Sequence, residues 1–218
     1  MKKSMFYVCF LTILLLGGCT WDNNNEEWRT VSLKAVQSIE VDQASTTVEV
    51  ETANIDQLEV AMFNGAGIVM EEERGRVRIR TKSNIVNLFR MKSKPKLLIR
   101  IPTSYKEQLV IKGSSGHTKV NNVQLQQLEV LTRSGHVSLE YDNIDSNILV
   151  IARSGNIRLF LKEKEPNVQW LLESNSGKRS IQIPLENPNQ TNKKTEGQTG
   201  NGAFRVHFQT TSGNINVN

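Results

Sequence analysis

The sequence predicts an all-β protein built as a parallel β-solenoid, or β-roll, from repeats of about 20 residues. A Ser-Gly pair recurs five times in the C-terminal half, at spacings of 19, 20, 22 and 36 residues. Apolar and polar residues alternate around each pair, and β-branched side chains are frequent at the apolar positions, as expected of strands. An antiparallel β-sandwich with evenly spaced hairpins is the alternative architecture.

The first 18 residues have the order of an export signal. Lys2 and Lys3 precede the run Met5 to Leu16, which is apolar except for Thr12. A run of this length is too short to cross a bilayer, since a spanning helix needs about 20 apolar residues. Positive charge, a short apolar run and small residues in that order predict a signal peptide over 1–18.

The signal ends in Leu16-Gly17-Gly18-Cys19, which resembles the bacterial lipobox. The resemblance implies cleavage before Cys19 and acylation of its thiol with diacylglycerol, so that acyl chains such as palmitate insert in membrane lipid. Two or three acyl chains suffice for stable anchoring. We therefore expect a lipid-anchored protein on the extracytoplasmic face of the cell membrane. An ordinary secretory signal is the alternative.

The cysteine content fits this interpretation. Cys9 leaves with the signal, and Cys19 is occupied by the thioether, so no thiol remains for a disulfide or a metal. The whole chain carries 27 basic and 22 acidic residues, a formal charge of +5. Since 1–18 holds two lysines and no acid, the mature chain has a charge of +3.

Residues 19–30 are polar around Asp22 to Glu27 and predict a flexible tether. Trp21 and Trp28 are expected either to rest at the lipid interface or to pack against the domain. Residues 31–218 are expected to form a single repetitive β-domain. Its N-terminal part shows strand signals in a looser rhythm, at 38–41, 46–51, 57–62, 76–81 and 97–102.

The repeat gives each residue around the Ser-Gly pair a role. Positions six and four before the serine and five after it carry large apolar side chains, such as Leu128, Val130 and Leu139, and the position two before it is small. Stacked repeats would align the glycines in a ladder, at a corner where positive φ favours glycine. The ladder consists of Gly116, Gly135, Gly155, Gly177 and Gly213. The longest spacing predicts a polar loop inserted near 184–202.

These motifs resemble the bacterial putative-adhesin domain family, which includes LiaG-like membrane-associated proteins. The matching segments are Leu-x-Ile-x-Ile-Pro at 97–102 and the repeats LEVLTRSGHVSL, ILVIARSGNIRL and VHFQTTSGNINV, starting at 128, 148 and 206. The resemblance covers about 31–218 and implies a β-solenoid at the cell surface, without catalytic residues. Two departures are a rung at 178–180 displaced by about two residues, and histidines at 117 and 136 where the family often has Asp or Asn.

A basic strip is the candidate binding surface. Cations alternate along one predicted strand and continue beyond it without an acid among the later ones. The strip consists of Arg74, Arg76, Arg78, Arg80, Lys82, Arg90, Lys92, Lys94 and Lys96. Anionic lipid head groups or a cell-wall polyanion would be its ligands. The alternative is cross-strand pairing with Glu49, Glu51, Glu59 and 71–73.

No catalytic motif is present: the sequence lacks a zincin helix, a Gly-x-Ser-x-Gly elbow and a phosphate loop. His117 and His136 occupy equivalent positions in successive repeats, so stacking places them about 5 Å apart. A polar corner role for them is favoured over a metal site. We expect no metal, no cofactor and, for an exported protein, no nucleic acid.

The sequence therefore predicts a non-catalytic, adhesin-like surface module that binds a wall polymer, a lipid or an envelope protein. A regulatory lipoprotein of an envelope-stress response is the alternative function. A hydrolase of an envelope polymer is less favoured, because it requires a pair of carboxylates in a groove.

Overall fold

A computed structural model describes residues 26–82 and 94–218. Within these ranges the chain forms seventeen β-strands and no helix. The strands before the Ser-Gly repeats are β1 (Glu26–Val31), β2 (Ser38–Gln43), β3 (Thr47–Ala53), β4 (Leu58–Phe63), β5 (Ile68–Glu73), β6 (Arg76–Thr81) and β7 (Lys96–Pro102). Those of the repeats are β8 (Gln108–Asn121), β9 (Gln127–Tyr141), β10 (Asn147–Ser154), β11 (Ile157–Leu161), β12 (Val168–Ser176), β13 (Arg179–Ile181), β14 (Glu186–Gln190), β15 (Lys194–Thr199), β16 (Phe204–Ser212) and β17 (Ile215–Val217).

The strands form two faces that join at the Ser-Gly pairs. The first face runs in the order β5-β6-β2-β8-β9-β10-β16-β12-β15-β14. The second runs in the order β1-β4-β7-β3-β8-β9-β11-β17-β13. The long strands β8 and β9 contribute to both faces, because each turns at its Ser-Gly pair.

The repeats stack as parallel rungs, which confirms the β-solenoid and rejects the antiparallel sandwich. Leu109 on β8 is paired with Leu128 on β9, and Leu128 with Ile148 on β10. This register places the same repeat position of every rung in one column, so apolar positions fall on the inner side throughout. Antiparallel pairing is confined to additions at the ends of the stack, namely β1, β4, β5, β14 and β15.

The core lies between the two faces as one continuous cluster. It consists of columns of equivalent apolar residues from the stacked rungs. Residues such as Leu109, Val130 and Leu159 are fully buried in it. Trp170 is the largest fully buried side chain, and its Nε1–H donates a hydrogen bond to Thr199 Oγ1 at 2.9 Å. Burial of these ladders supplies the apolar contacts that a single rung cannot make.

The order of the rungs in space differs from their order in the chain. From one end to the other the rungs are 76–81 with 96–102, then 38–53, 108–121, 127–141, 147–161, 204–217 and 168–181. The C-terminal repeat therefore lies between two rungs that precede it in sequence. The rung 38–53 is likewise enclosed between later segments.

The predicted loop at 184–202 is largely a β-hairpin, so the expectation of an irregular loop was wrong. Strand β15 pairs antiparallel with β12, and β14 pairs with β15. The sequence looks like a loop because the insertion covers the end of the stack and only Thr195 and Thr199 are buried. Polar residues can form the outer layer of such a cap without losing contact with water.

The rung at 178–180 is not displaced, as Arg179 is in register with Ile215 of the neighbouring rung. Arg179 stands at an inward position that is apolar in other rungs. Its guanidinium donates hydrogen bonds to Thr195 Oγ1 at 3.3 Å and to the Thr191 carbonyl at 2.8 Å. The arginine thus ties the inserted hairpin to the last rung.

The predicted tether at 19–30 overlaps strand β1, which pairs antiparallel with β4. Residues 26–30 are therefore part of the sheet and not a free linker, because their backbone groups satisfy an otherwise open edge of β4. The signal peptide at 1–18, Cys19 and residues 20–25 lie outside the described residues. Strand β5, which forms a hairpin with β6, was not predicted.

Candidate ligand-binding surfaces

The central part of the basic strip lies on β6, and its arginines are ion-paired. Val77 and Ile79 point into the core, so the arginines between them point outward. On one side, Glu40 of β2 accepts from Arg76 at 3.0 Å and from Arg78 at 3.1 Å. On the other side, Glu71 of β5 pairs with Arg80. Strand register brings each of these three arginines beside an acid, which lowers the net charge of the strip.

The same pairing continues at the second face. Lys96 Nζ lies 2.6 Å from Glu49, and Arg100 Nε lies 2.9 Å from Glu51. Hydrogen bonding to Glu51 raises the pKa of the Arg100 guanidinium, and hydrogen bonding to Glu40 does the same for the pKa of Arg78. Of the acids expected to pair with the strip, Glu49 and Glu71 do so, while Glu51 and Glu59 pair with Arg100 outside it. Glu72 and Glu73 form no ion pair among the described residues, and Glu40 and Asp42 are additional partners.

Three cations of the strip remain without an acidic partner in the described part of the chain: Arg74, Lys82 and Lys94. Arg90 and Lys92 lie outside the described residues. Polyanion binding by the strip therefore stays a prediction that depends on these cations.

A second surface is the Ser-Gly corner, which we define as the segments 114–117, 133–136, 153–156, 211–214 and 175–178, in their spatial order. The glycines are required here because the rungs approach closely. A Cβ at Gly155 would lie 1.9 Å from the carbonyl oxygen of Gly135, and Gly155 has φ of 155°. Four of the five corner glycines have positive φ, as expected. Gly135 is the exception. Glycine is required there because a Cβ would lie 2.4 Å from the carbonyl oxygen of Gly116.

Hydrogen bonds between the rungs fix the shape of this corner. Inside it, Thr210 Oγ1 donates to the Gly155 carbonyl at 3.1 Å, and Ser174 Oγ donates to the Gly213 carbonyl at 2.9 Å. These bonds explain why the position two before the serine is small and often hydroxylated. They satisfy carbonyl groups that the tight turn would otherwise leave without a partner.

On the solvent side of the corner, a side chain in each of three successive rungs accepts a backbone N–H of the next rung. The Asn156 N–H donates to His136 Nδ1 at 3.2 Å, and the Asn214 N–H donates to Asn156 Oδ1 at 2.9 Å. The Lys178 N–H then donates to Asn214 Oδ1 at 2.8 Å. His136 thus takes the role that asparagine has in the neighbouring rungs.

The two histidines stack as predicted, since the ring centroids of His117 and His136 are 5.1 Å apart. Among the described residues no group of three His, Cys, Asp or Glu side chains could hold a metal ion. The geometry supports the polar corner role for these rings.

The corner also carries exposed cations that were not among the predicted binding residues. Arg133 and Arg153 stand in the same position of adjacent rungs, and Lys178 lies at the far end of the corner. None of the three forms an ion pair within the described ranges, and no segment of the corner contains Asp or Glu. The signal in the sequence is the tetrapeptide Arg-Ser-Gly-His/Asn, which occurs twice, 20 residues apart.

An aromatic pair lies at the edge of the second face. Trp28 contacts Phe63 edge-on with ring centroids 6.2 Å apart, and Trp28 remains 45% exposed. Arg100 lies 5.7 Å from the Trp28 ring centroid and Lys96 lies 5.9 Å from that of Phe63. Trp28 therefore packs partly against the domain.

A cavity of about 860 Å³ lies at the end of the strands opposite to the corner. Leu161, Ile183 and Leu185 contribute its apolar wall, and Lys164 and Glu165 stand at its rim. Charges of both signs surround it, so electrostatics does not indicate a particular ligand.

A two-faced stack of parallel rungs, joined at a ladder of glycine turns, defines a β-solenoid domain. The Toastrack DUF4097 family model matches residues 36–129 and 99–218, and the chain belongs to this family. No curated protein matches the chain.

One solved structure shares this fold, and a second was found at a lower score. A putative cell adhesion protein from Clostridium sporogenes is 14% identical, with a TM-score of 0.64 over 89% of this chain and 98% of that one. A putative adhesin from Bacteroides fragilis is 10% identical, with a TM-score of 0.37 over 88% of this chain and 97% of that one. A search of the described residues for a helix long and apolar enough to span a membrane finds none.

Proposed function

We propose that the mature protein is a lipoprotein anchored at the extracytoplasmic face of the cell membrane, where it acts as a non-catalytic, adhesin-like binding module. The observation that carries the proposal is the Ser-Gly corner, where exposed polar and cationic side chains repeat in register along the stack. A repetitive surface of this kind suits an extended, repetitive ligand better than a small molecule. The fold shared with a putative cell adhesion protein of Clostridium sporogenes agrees with this role.

The anchor part of the proposal depends on Cys19 and on the position of β1. Glu26 lies seven positions after Cys19, and an extended chain of that length spans at most about 25 Å. The edge of the second face, with Trp28, would therefore stay close to the bilayer. The corner would be carried outward on a rigid stack and meet an envelope polymer or protein.

Cys19→Ser should abolish lipid anchoring. The variant is expected in the soluble extracytoplasmic fraction or as an unprocessed precursor, because serine cannot form the thioether. The measurement is membrane fractionation combined with mass spectrometry of the N-terminus. Cys9→Ser is the matched control, since Cys9 leaves with the signal, and it should remain anchored. A Cys19→Ser protein that stays in the membrane and still begins at residue 19 contradicts the lipoprotein proposal.

Binding is tested by retention of the purified protein on envelope fractions at low and at high salt. Retention on wall polymer that salt abolishes supports the binding module, since surface charge interactions are screened at high ionic strength. Capture of one defined membrane protein with no retention on polymer would instead favour the regulatory alternative.

A further inference from the structure

Two unpaired cations lie side by side at the Ser-Gly corner. The three arginines of β6 in the basic strip all have acidic partners. Arg133 and Arg153 of the corner are exposed and have none among the described residues. Glu129, the acid on the same outward row of β9, lies four residues before Arg133, about 13 Å along the strand, and forms no ion pair with it.

In the absence of a ligand, the positions of these two arginines are electrostatically unfavourable. The register pairs Thr132 with Ala152 and Ser134 with Ser154, which places Arg133 and Arg153 side by side on neighbouring strands. Neighbouring strands are about 4.8 Å apart. Like charges directly opposite each other in a sheet are destabilising, and an anion between them would remove the repulsion.

The remaining corner groups are hydrogen-bond donors that suit an oxyanion. Exposed serines follow each other at rung spacing, among them Ser134, Ser154 and Ser212. The His136 Nδ1 accepts the Asn156 N–H, so the proton of the neutral ring must be on Nε2, which can donate to a ligand. Arginine guanidinium groups and hydroxyl groups often bind phosphate together.

We infer that the Ser-Gly corner binds a linear phosphate-bearing polyanion, which lies along the stack and crosses the rungs. The inference deepens the proposed function, on which it rests, by naming the surface and the class of polymer. Arg133 and Arg153 hold one phosphate between them, and Ser134, Ser154 and His136 donate to its oxygens. Lys178 meets the polymer two rungs further on. A chain of phosphates gains affinity over a single phosphate because successive contacts are intramolecular.

The test measures binding of long-chain inorganic polyphosphate to the full chain in detergent, by isothermal titration calorimetry at low salt. The variant Arg133→Gln/Arg153→Gln is expected to weaken binding by at least about tenfold, because it removes both charges of the central contact. Both side chains are exposed and without protein partners, and the variant removes their mutual repulsion, so it should unfold at the same or a slightly higher temperature than the unsubstituted protein. Orthophosphate at equal phosphate concentration should bind far more weakly than the polymer.

The matched control is Lys34→Gln/Lys106→Gln, which removes two exposed cations that lie outside both the basic strip and the Ser-Gly corner and form no ion pair among the described residues. It should bind polyphosphate as tightly as the unsubstituted protein. The inference is overturned if the corner variant binds unchanged, if both variants lose affinity equally, or if orthophosphate binds as well as the polymer. The assay does not depend on lipid anchoring, so a failure here leaves the membrane fractionation result standing.

Discussion

Gly155→Ala should destabilise the domain by about 3–5 kcal/mol or prevent folding altogether. The added Cβ would lie 1.9 Å from the Gly135 carbonyl oxygen and 2.8 Å from its carbonyl carbon. These are backbone atoms of the adjacent rung, so relief requires the rungs to separate. Separation weakens the hydrogen bonds that join these two rungs beside the turn, from the Val137 N–H to the Asn156 carbonyl at 3.0 Å and from the Asn156 N–H to His136 Nδ1 at 3.2 Å. Overpacking and backbone strain each cost about 1–3 kcal/mol in other proteins.

Urea unfolding followed by circular dichroism measures this effect. Gly65→Ala is the matched control, because its new Cβ meets only the Met62 side chain and no backbone atom, and its φ is not positive. Met62 is buried, so the control should lower the unfolding midpoint, but by less than Gly155→Ala does. Equal midpoints for the two variants would show that close approach of the rungs at the corner does not stabilise the fold.

Trp170→Ala should cost about 3–5 kcal/mol of the free energy of unfolding, as for other fully buried tryptophans. The indole is 2% exposed and lies in the core of the last rung. It also holds the inserted hairpin through its hydrogen bond to Thr199. Both losses act at one end of the stack, so we expect the hairpin at 186–199 to loosen with the rung.

The matched control is Trp28→Ala, which removes the same side chain from a site that is 45% exposed. It should cost clearly less than Trp170→Ala, because Trp28 buries only part of its surface and its removal leaves no cavity in the core. Urea unfolding measures the stability, and limited proteolysis reports on the hairpin. A Trp170→Ala variant as stable as Trp28→Ala would contradict the core position of the indole.

The repeat could be predicted because its signals are local. Alternation around Ser134-Gly135 and Ser154-Gly155 defines strand, turn and strand within one rung, and the structure confirms it. The order of rungs could not be predicted, because every rung offers the same apolar columns to a neighbour. In the structure, the repeat that ends at Val217 lies beside Leu159. By its apolar pattern alone, the repeat that ends at Ile181 could occupy the same place.

The inserted hairpin and β1 show a second reason for failure. Their sequences are polar, because each lies at an end of the stack and buries few side chains. Strands of this kind are held by backbone hydrogen bonds and lack the alternation that identifies strands in a sequence. The side-chain bonds of Arg179 that fix the hairpin are likewise invisible in the sequence.

The candidate site was predicted only in part. The alternation from Arg74 to Lys82 correctly indicated one outward row of cations on β6, but the pairing with Glu40 depends on which strand lies beside it. The cluster at the corner depends on long-range stacking in the same way. Arg133 and Arg153 are distant in sequence and become neighbours only when the rungs are in register.

The order of the rungs determines which side chains line the Ser-Gly corner, and disulfide cross-linking tests it directly. In a background in which Cys9 and Cys19 are replaced by serine, Ile151→Cys/Gln209→Cys joins paired residues of β10 and β16. We expect oxidation to form this disulfide, since neighbouring strands satisfy the distance that a disulfide requires. Ile151→Cys/Glu173→Cys should not cross-link, because β16 separates β10 from β12. A disulfide in the second pair and none in the first would mean that the rungs stack in chain order, contradicting the account.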